Sequence, residues 1–231
     1  MRTRRIGLLG GMSWESTLEY YRLINERTGA RLGGNSTAEI LLWSFNFGEI
    51  LELLAQERSA EVGEKIATAA RGLANLGAEL LVICTNSGHA RAHALQEAAG
   101  IPVVHIADAV GAEMQRRGIR KAGLLGTIAT MQGTFYREHL LKNWDIETVV
   151  PSPEVQARVH HIAIEEIACG KRLESSRRDL ANIANDLCSD GVILGCTELP
   201  LLVTQQDVSV PVLNTLGLHV DAIVERAIIE G

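Results

Sequence analysis

The sequence predicts an α/β protein of two pseudo-symmetric lobes, each a mostly parallel sheet flanked by helices, with an active site in the cleft between them. Short branched-aliphatic runs alternate with helical periodicity along the whole chain, the pattern of parallel strands joined by helical crossovers. Segments of the first half also recur in the second, in the same order. Ile6-Gly7-Leu8-Leu9-Gly10 matches Ala122-Gly123-Leu124-Leu125-Gly126 at an offset of 116, and Leu81-Val82-Ile83-Cys84-Thr85 aligns with Val192-Ile193-Leu194-Gly195-Cys196 at 111. Ile101-Pro102-Val103-Val104-His105 aligns with Val210-Pro211-Val212-Leu213-Asn214 at 109. Slowly shrinking offsets mark a duplicated unit whose second copy has lost several residues. No Pro/Gly/Ser-rich linker separates the copies, so closely packed lobes are expected, residues 1–105 plus 214–231 and residues 106–213.

Each element follows from local chemistry. Arg5 to Leu9 is a short buried strand, and Gly10-Gly11-Met12 turns the chain into a helix capped by Ser13. Leu18, Tyr21, Leu23 and Ile24 recur at helical spacing through Thr28, and Gly33-Gly34-Asn35 ends that helix. Glu39 to Trp43 is a strand, Phe45 to Leu54 a loop or short helix, and Ala60 to Leu76 a helix stopped by Gly77. The strand Leu80 to Ile83 runs into Cys84-Thr85-Asn86-Ser87-Gly88-His89, followed by a helix from Ala90 to Ala99 and a strand from Ile101 to His105. The second copy reads as helix Ala107 to Arg117, strand Lys121 to Leu125, helix Met131 to Leu141 and strand Ile146 to Val150. Helices Pro153 to Cys169 and Leu173 to Cys188 flank Gly170-Lys171. The strand Gly191 to Leu194, a helical turn through Leu202, the strand Val210 to Leu213 and the helix Leu216 to Ile229 close the chain.

Composition narrows the function. A net charge of -6 leaves no electrostatic footprint for nucleic acid. The basic start is followed by only Ile6 to Leu9, too short for a signal-peptide core, and no apolar span is long enough to cross a bilayer, so a cytoplasmic protein is expected. The four cysteines, Cys84, Cys169, Cys188 and Cys196, form no C-x-x-C pair and are read as free thiols. His89 and His93 share a helix face near Cys84, but no further ligand spacing accompanies them, and no metal site is expected.

The chemistry gathers at the end of the strand Gly191 to Leu194. There Gly195-Cys196-Thr197-Glu198 presents a thiol, a hydroxyl and a carboxylate, where the N–H groups of a following turn favour a thiolate. An ordinary buried cysteine is the competing reading. Ligands of open α/β sheets lie beyond the carboxyl ends of the strands. The duplication therefore brings Thr85 and Cys196 to opposite sides of one cleft. Two proton-transfer groups on opposite faces of a carbon are what stereoinversion requires. The pair is lopsided, because threonine is a poor base. The turn Gly10-Gly11-Met12-Ser13 and the turn Thr127 to Thr130 occupy equivalent places in the copies. Gly11, Met12, Ser13, Thr127 and Thr130 there either offer N–H groups and hydroxyls to a carboxylate or serve chain reversal and capping. No Gly-x-Gly-x-x-Gly dinucleotide fingerprint is present.

Gly7-Leu8-Leu9-Gly10-Gly11-Met12-Ser13-Trp14-Glu15-Ser16-Thr17, Thr85-Asn86-Ser87-x-His89 and Gly195-Cys196-Thr197-Glu198 together resemble the aspartate/glutamate racemase family. The resemblance covers nearly the whole chain. It implies cofactor-independent two-base racemisation of aspartate or glutamate, usually in a homodimer, with a small acidic amino acid as the partner. By resemblance Asn86, Ser87, Thr197 and Glu198 line the cleft. Glu198 stands where the cell-wall glutamate racemases carry His, which is similar to the aspartate racemase branch. Many members place cysteines at both catalytic positions, whereas here the first is Thr85 and Cys84 falls one residue early, on the inward face of the strand. A subgroup with this Thr/Cys pair is similar to racemases preferring the L enantiomers, which implies that Cys196 deprotonates the L substrate and Thr85 passes a proton on the other face. A family Lys near Ala168-Cys169-Gly170 is represented here only by Lys171. A decarboxylase or cis-trans isomerase of the same superfamily, working with one cysteine on a small dicarboxylate, is the alternative enzyme, and a non-catalytic acidic-ligand binder the alternative class.

Overall fold

The computed structural model describes residues 2–229; Met1, Glu230 and Gly231, which belong to the expected first lobe, lie outside the described residues. Two compact units divide the chain, Met1–His105 with His219–Gly231, and Ile106–Leu218. The first unit begins with β1 (Arg2–Thr3), β2 (Ile6–Gly10), α1 (Trp14–Leu32), β3 (Ile40–Ser44) and α2 (Phe47–Ala55). It continues through α3 (Ser59–Asn75), β4 (Leu80–Ile83) and α4 (Ala92–Ala99). The second contains α5 (Ile106–Arg117), β5 (Lys121–Leu125), α6 (Ile128–Gln132), α7 (Phe135–Trp144), β6 (Glu147–Val149), α8 (Pro153–His161), α9 (Glu174–Asp186), β7 (Gly191–Leu194) and β8 (Val212–Asn214). Helix α10 (Thr215–Ala227) runs through the boundary, and β9 (Ile228–Ile229) pairs antiparallel with β1, a ribbon without a signal in the sequence pattern.

Both main sheets are parallel and share a strand order, β3-β2-β4 in the first unit and β6-β5-β7-β8 in the second. Strands β2, β4 and β7 are buried along their whole length, and β5 from Ala122 to Leu125, because helices cover the sheets. In β7, Val192 and Leu194 pack with Val159, Ile162, Leu180 and Ala184, while Ile193 points the other way, toward Val110, Met114, Tyr136 and Leu140. Strict alternation across a strand makes this division. Burying such a side chain contributes about 1.5–3 kcal/mol, so a four-residue run with no exposed position is a strong strand signal. In the first unit Leu9, Leu81 and Ile83 meet Val62, Ile66, Leu73 and Leu95 of α3 and α4.

Several expectations are corrected. Ile101 to His105 forms no strand, only a bridge of Val103 to Leu81, flanked by Pro102, which has no N–H to donate. The helix expected from Met131 to Leu141 is two helices, α6 and α7, parted at Gly133. A π-helical turn, Ile162–Ile167, succeeds α8, where one α-helix to Cys169 was expected. That widened turn carries the buried Glu166, which accepts from Arg158 Nη1 at 3.2 Å and from the Ser176 hydroxyl. Residues Ser87–Arg91 are a 3-10 turn, so the helix after β4 begins at Ala92. On α1 the buried row is Thr17, Tyr20, Ile24 and Thr28, whereas Leu18 and Tyr21 are exposed. No helix among the described residues is long and apolar enough to cross a membrane.

Candidate active site

The sheet register makes two positions equivalent. Leu9 lies opposite Ile83, and Leu125 opposite Leu194. The next N–H donates back across each sheet, Cys84 to Leu9 O at 3.0 Å and Gly195 to Leu125 O at 2.7 Å. Cys84 and Gly195 therefore hold one position, and Thr85 and Cys196 the next. Each strand end is pinned by a hydroxyl: Ser16 Oγ donates to Cys84 O at 2.8 Å, and Thr215 Oγ1 to Leu194 O at 2.9 Å.

In the first unit Cys84 is buried, and burial alone pushes its thiol far up. Thr85 is half-buried, Asn86 buried and Ser87 exposed. The adjoining turn is tightly determined. Gly11 sits at φ +82, and a Cβ there would come within 2.4 Å of Phe45 N and O, so only glycine lets the backbones approach this closely. Gly11 N–H donates to Thr17 Oγ1 at 2.8 Å, and Thr17 Oγ1 donates to Ser13 O at 2.8 Å. Ser13 caps α1, its Oγ accepting from Ser16 N–H at 3.3 Å. Ser13 Oγ keeps its own hydrogen to donate. Met12 precedes it in the turn, half-buried against the core.

In the second unit Cys196 is 7% exposed, and its Sγ lies 2.8 Å from Glu198 Oε2. Thr197 Oγ1 donates to the same carboxylate oxygen at 3.0 Å. Burial, and then the Glu198 charge, push the thiol well above its ordinary range. This overturns the expectation of a turn-stabilised thiolate. The chain beyond Cys196 makes only a single 3-10 turn, Leu199–Leu201, and backbone hydrogen bonds from Thr197 and Glu198 favour the thiolate less than burial and the carboxylate oppose it. The Thr127 turn is a helix cap: Thr127 Oγ1 accepts from Thr130 N–H at 3.3 Å and meets Thr130 Oγ1 at 3.2 Å. Thr130 is buried and Thr127 half-buried.

Other groups fall outside these two clusters or join them. His93 is exposed beside Glu97 while Cys84 and His89 are buried, so these three residues do not converge as metal ligands. Lys171 is exposed, its Nζ 3.4 Å from Glu165 O. His160 Nδ1 accepts from Ile128 N–H at 3.5 Å, and sequence reasoning missed His219, buried in the first unit with Tyr20 Oη on its Nδ1 at 2.7 Å. Neither has a local signature, since both act through partners distant in the chain.

Residues 9–223 match the profile of the family described as Asp/Glu/Hydantoin racemase. The crystal structure of a candidate Asp/Glu racemase from Yersinia pestis is similar to this chain at 41% identity, covering 97% of this chain and 99% of its own, with a TM-score of 0.92. That of an aspartate racemase homologue from Pyrococcus horikoshii OT3 is similar at 34% identity, covering 97% and 99%, with a TM-score of 0.86. A glutamate racemase from Hydrogenobaculum sp. (strain Y04AAS1) is 31% identical over 159 residues, a match that takes in 66% of this chain and 58% of that relative's length.

Proposed function

The chain belongs to the Asp/Glu/Hydantoin racemase family, and on that premise we propose that it inverts the α-carbon of aspartate or glutamate by two-base proton transfer, without a cofactor. The observation that carries this reading is the shared register position of Thr85 and Cys196 at the ends of like-ordered strands. In this reading they serve opposite faces of one α-carbon. The enzyme works in the cytoplasm as a homodimer, with the free amino acid as its partner.

The Cys196–Glu198 contact supplies the first step. The resting pair holds one proton on sulfur, and the carboxylate 2.8 Å away is placed to receive it. The substrate ammonium beside the pair favours the charged form of the thiol. The thiolate then takes the α-proton of the L enantiomer, and the Thr85 hydroxyl gives a proton to the opposite face, regaining its own through water. Ser13, Asn86, Ser87, Thr127, Thr130 and Thr197 supply donors for the substrate carboxylates, with the backbone of Gly11 and Met12 shaping the turn. Carbanion charge develops on the α-carboxylate, which is where such donors act most strongly.

Incubation with L- and D-aspartate and L- and D-glutamate in D2O tests the proposal. Deuterium is expected at the α-carbon, faster from the L side. Absence of exchange with all four overturns it, and carbon dioxide release from an aryl-substituted malonate would then favour the decarboxylase reading.

Glu198→Gln separates the two effects of the carboxylate. Removing its charge lowers the pH at which Cys196 ionises, since Glu198 is a named cause of the upward shift. Losing the proton acceptor lowers kcat by about 10- to 100-fold, the worth of one charge-assisted hydrogen bond. The pH dependence of Cys196 alkylation, measured with the α-proton exchange rate, checks the pair. Both should fall together.

A further inference from the structure

His89 belongs to no step above, yet the structure ties it to one. The geometry points to His89 as a positioning residue that holds the Thr85 turn in the orientation its hydroxyl needs, an inference that rests on the reading of Thr85 as one of the two proton-transfer groups.

The tie is direct. His89 Nδ1 lies 2.9 Å from Thr85 O, and since a carbonyl only accepts, Nδ1 carries the hydrogen. His89 N–H donates in turn to Asn86 O at 3.1 Å. The backbone between β4 and the 3-10 turn is therefore held at two successive carbonyls by one residue.

The ring cannot swing away. It is 3% exposed and lies edge-on to His105, with centroids 5.1 Å apart, and to His219, with centroids 5.2 Å apart. His219 is itself fixed at both nitrogens: Nε2 donates to Val104 O at 2.7 Å, which leaves Nδ1 to accept from Tyr20 Oη at 2.7 Å. Helices α1 and α10 thus brace the ring that braces Thr85.

Packing completes the restraint on the hydroxyl. A Cβ on Gly88 would lie 2.9 Å from Thr85 Cγ2 and 2.7 Å from Ile83 Cγ2, so the bare glycine backbone is what the Thr85 methyl packs beside. With the carbonyl anchored and the methyl seated, the β-branched side chain has its hydroxyl direction set, because χ1 of threonine has few alternatives. A proton donor to one face of a carbon depends steeply on such placement.

Two isosteric amides make the test. Asparagine places its amide nitrogen near the position of Nδ1, and glutamine reaches the position of Nε2 instead. His89→Asn should keep kcat within about threefold of wild type, while His89→Gln should lower kcat by about 10- to 100-fold with KM little changed. Amide hydrogen exchange of Thr85 to His89 should be about tenfold faster in His89→Gln and near wild type in His89→Asn. His89→Leu, which removes the side-chain donors, should follow the glutamine variant. Equal protection of this segment in all folded variants overturns the inference, as does equal loss of activity in the asparagine and glutamine variants. If wild type exchanges no acidic amino acid, the racemase reading falls, and amide exchange alone then decides whether His89 holds the turn.

Discussion

Cys196→Ala lowers α-proton exchange from L-aspartate and L-glutamate by about a hundredfold to ten-thousandfold, the range removed with a positioned general base, while the protein stays folded. Cys84→Ala leaves that exchange near the wild-type rate. Both thiols are buried, both lie at the end of a central strand, and both are pushed up in pKa by burial. They differ in what they meet. Cys196 has a carboxylate oxygen at 2.8 Å, whereas burial is the sole cause of the Cys84 shift. Removing either sulfur leaves a small void worth about 1–2 kcal/mol. Stability therefore falls alike in the two variants, and exchange falls in one. Isotope exchange by NMR, run beside denaturant unfolding of both variants, checks the contrast; equal exchange in Cys84→Ala and Cys196→Ala would return Cys196 to the role of a core thiol. Thr85→Cys replaces a weak base with the residue found opposite it, and exchange from the D side should rise.

The first unit should be acid-labile through its buried histidines. His219 is fully buried, its neutral ring is bonded at both nitrogens, and burial first pulls its pKa from 6.5 down to about 3. His89 is shifted in the same direction, by burial and by the neighbouring rings of His219 and His105. Between pH 6.5 and about 3 the unfolded chain binds a proton at residue 219 that the folded chain refuses. Stability is present above the unfolded pKa and lost as pH falls, by about 1.4 kcal/mol per pH unit for each such histidine. Over that window the loss is a large fraction of the roughly 5–15 kcal/mol that holds a typical domain folded. Urea unfolding at successive pH values measures the slope. His219→Gln, which cannot titrate, should flatten it by about 1.4 kcal/mol per pH unit. An unchanged slope in that variant would place the acid sensitivity elsewhere, in carboxylates such as Glu113, whose arginine partners hold it down at about 2.

The runs Leu80–Ile83, Lys121–Leu125 and Gly191–Leu194 have the same bounds in sequence pattern and in structure, because a strand covered on both faces is apolar along its buried length, from Ala122 onward in the second run, and glycine or a polar group ends it. The shared strand order matches the duplicated segments for the same reason, and aligning those segments pairs Thr85 with Cys196 at the register that the hydrogen bonds give. Capping was also legible at Ser13, since that bond spans three residues. Such features are local: their cause lies within one turn or one strand of the residue concerned.

Other features have no local cause, and tertiary structure alone decided them. Cys196 is a protonated thiol because burial and one rotamer of Glu198 oppose its ionisation, and neither can be read from Cys-Thr-Glu. The π-helical turn Ile162–Ile167 likewise carries Glu166 to Arg158 and to Ser176 of α9, partners that the helical periodicity does not name. The histidine brace is the extreme case, for Tyr20 and His219 stand 199 residues apart, and Val104 and His219 stand 115 apart. Periodicity tells which face of an element is covered. Which side chain waits on the other side, and hence where a proton sits, depends on packing that brings distant parts of the chain within about 3 Å.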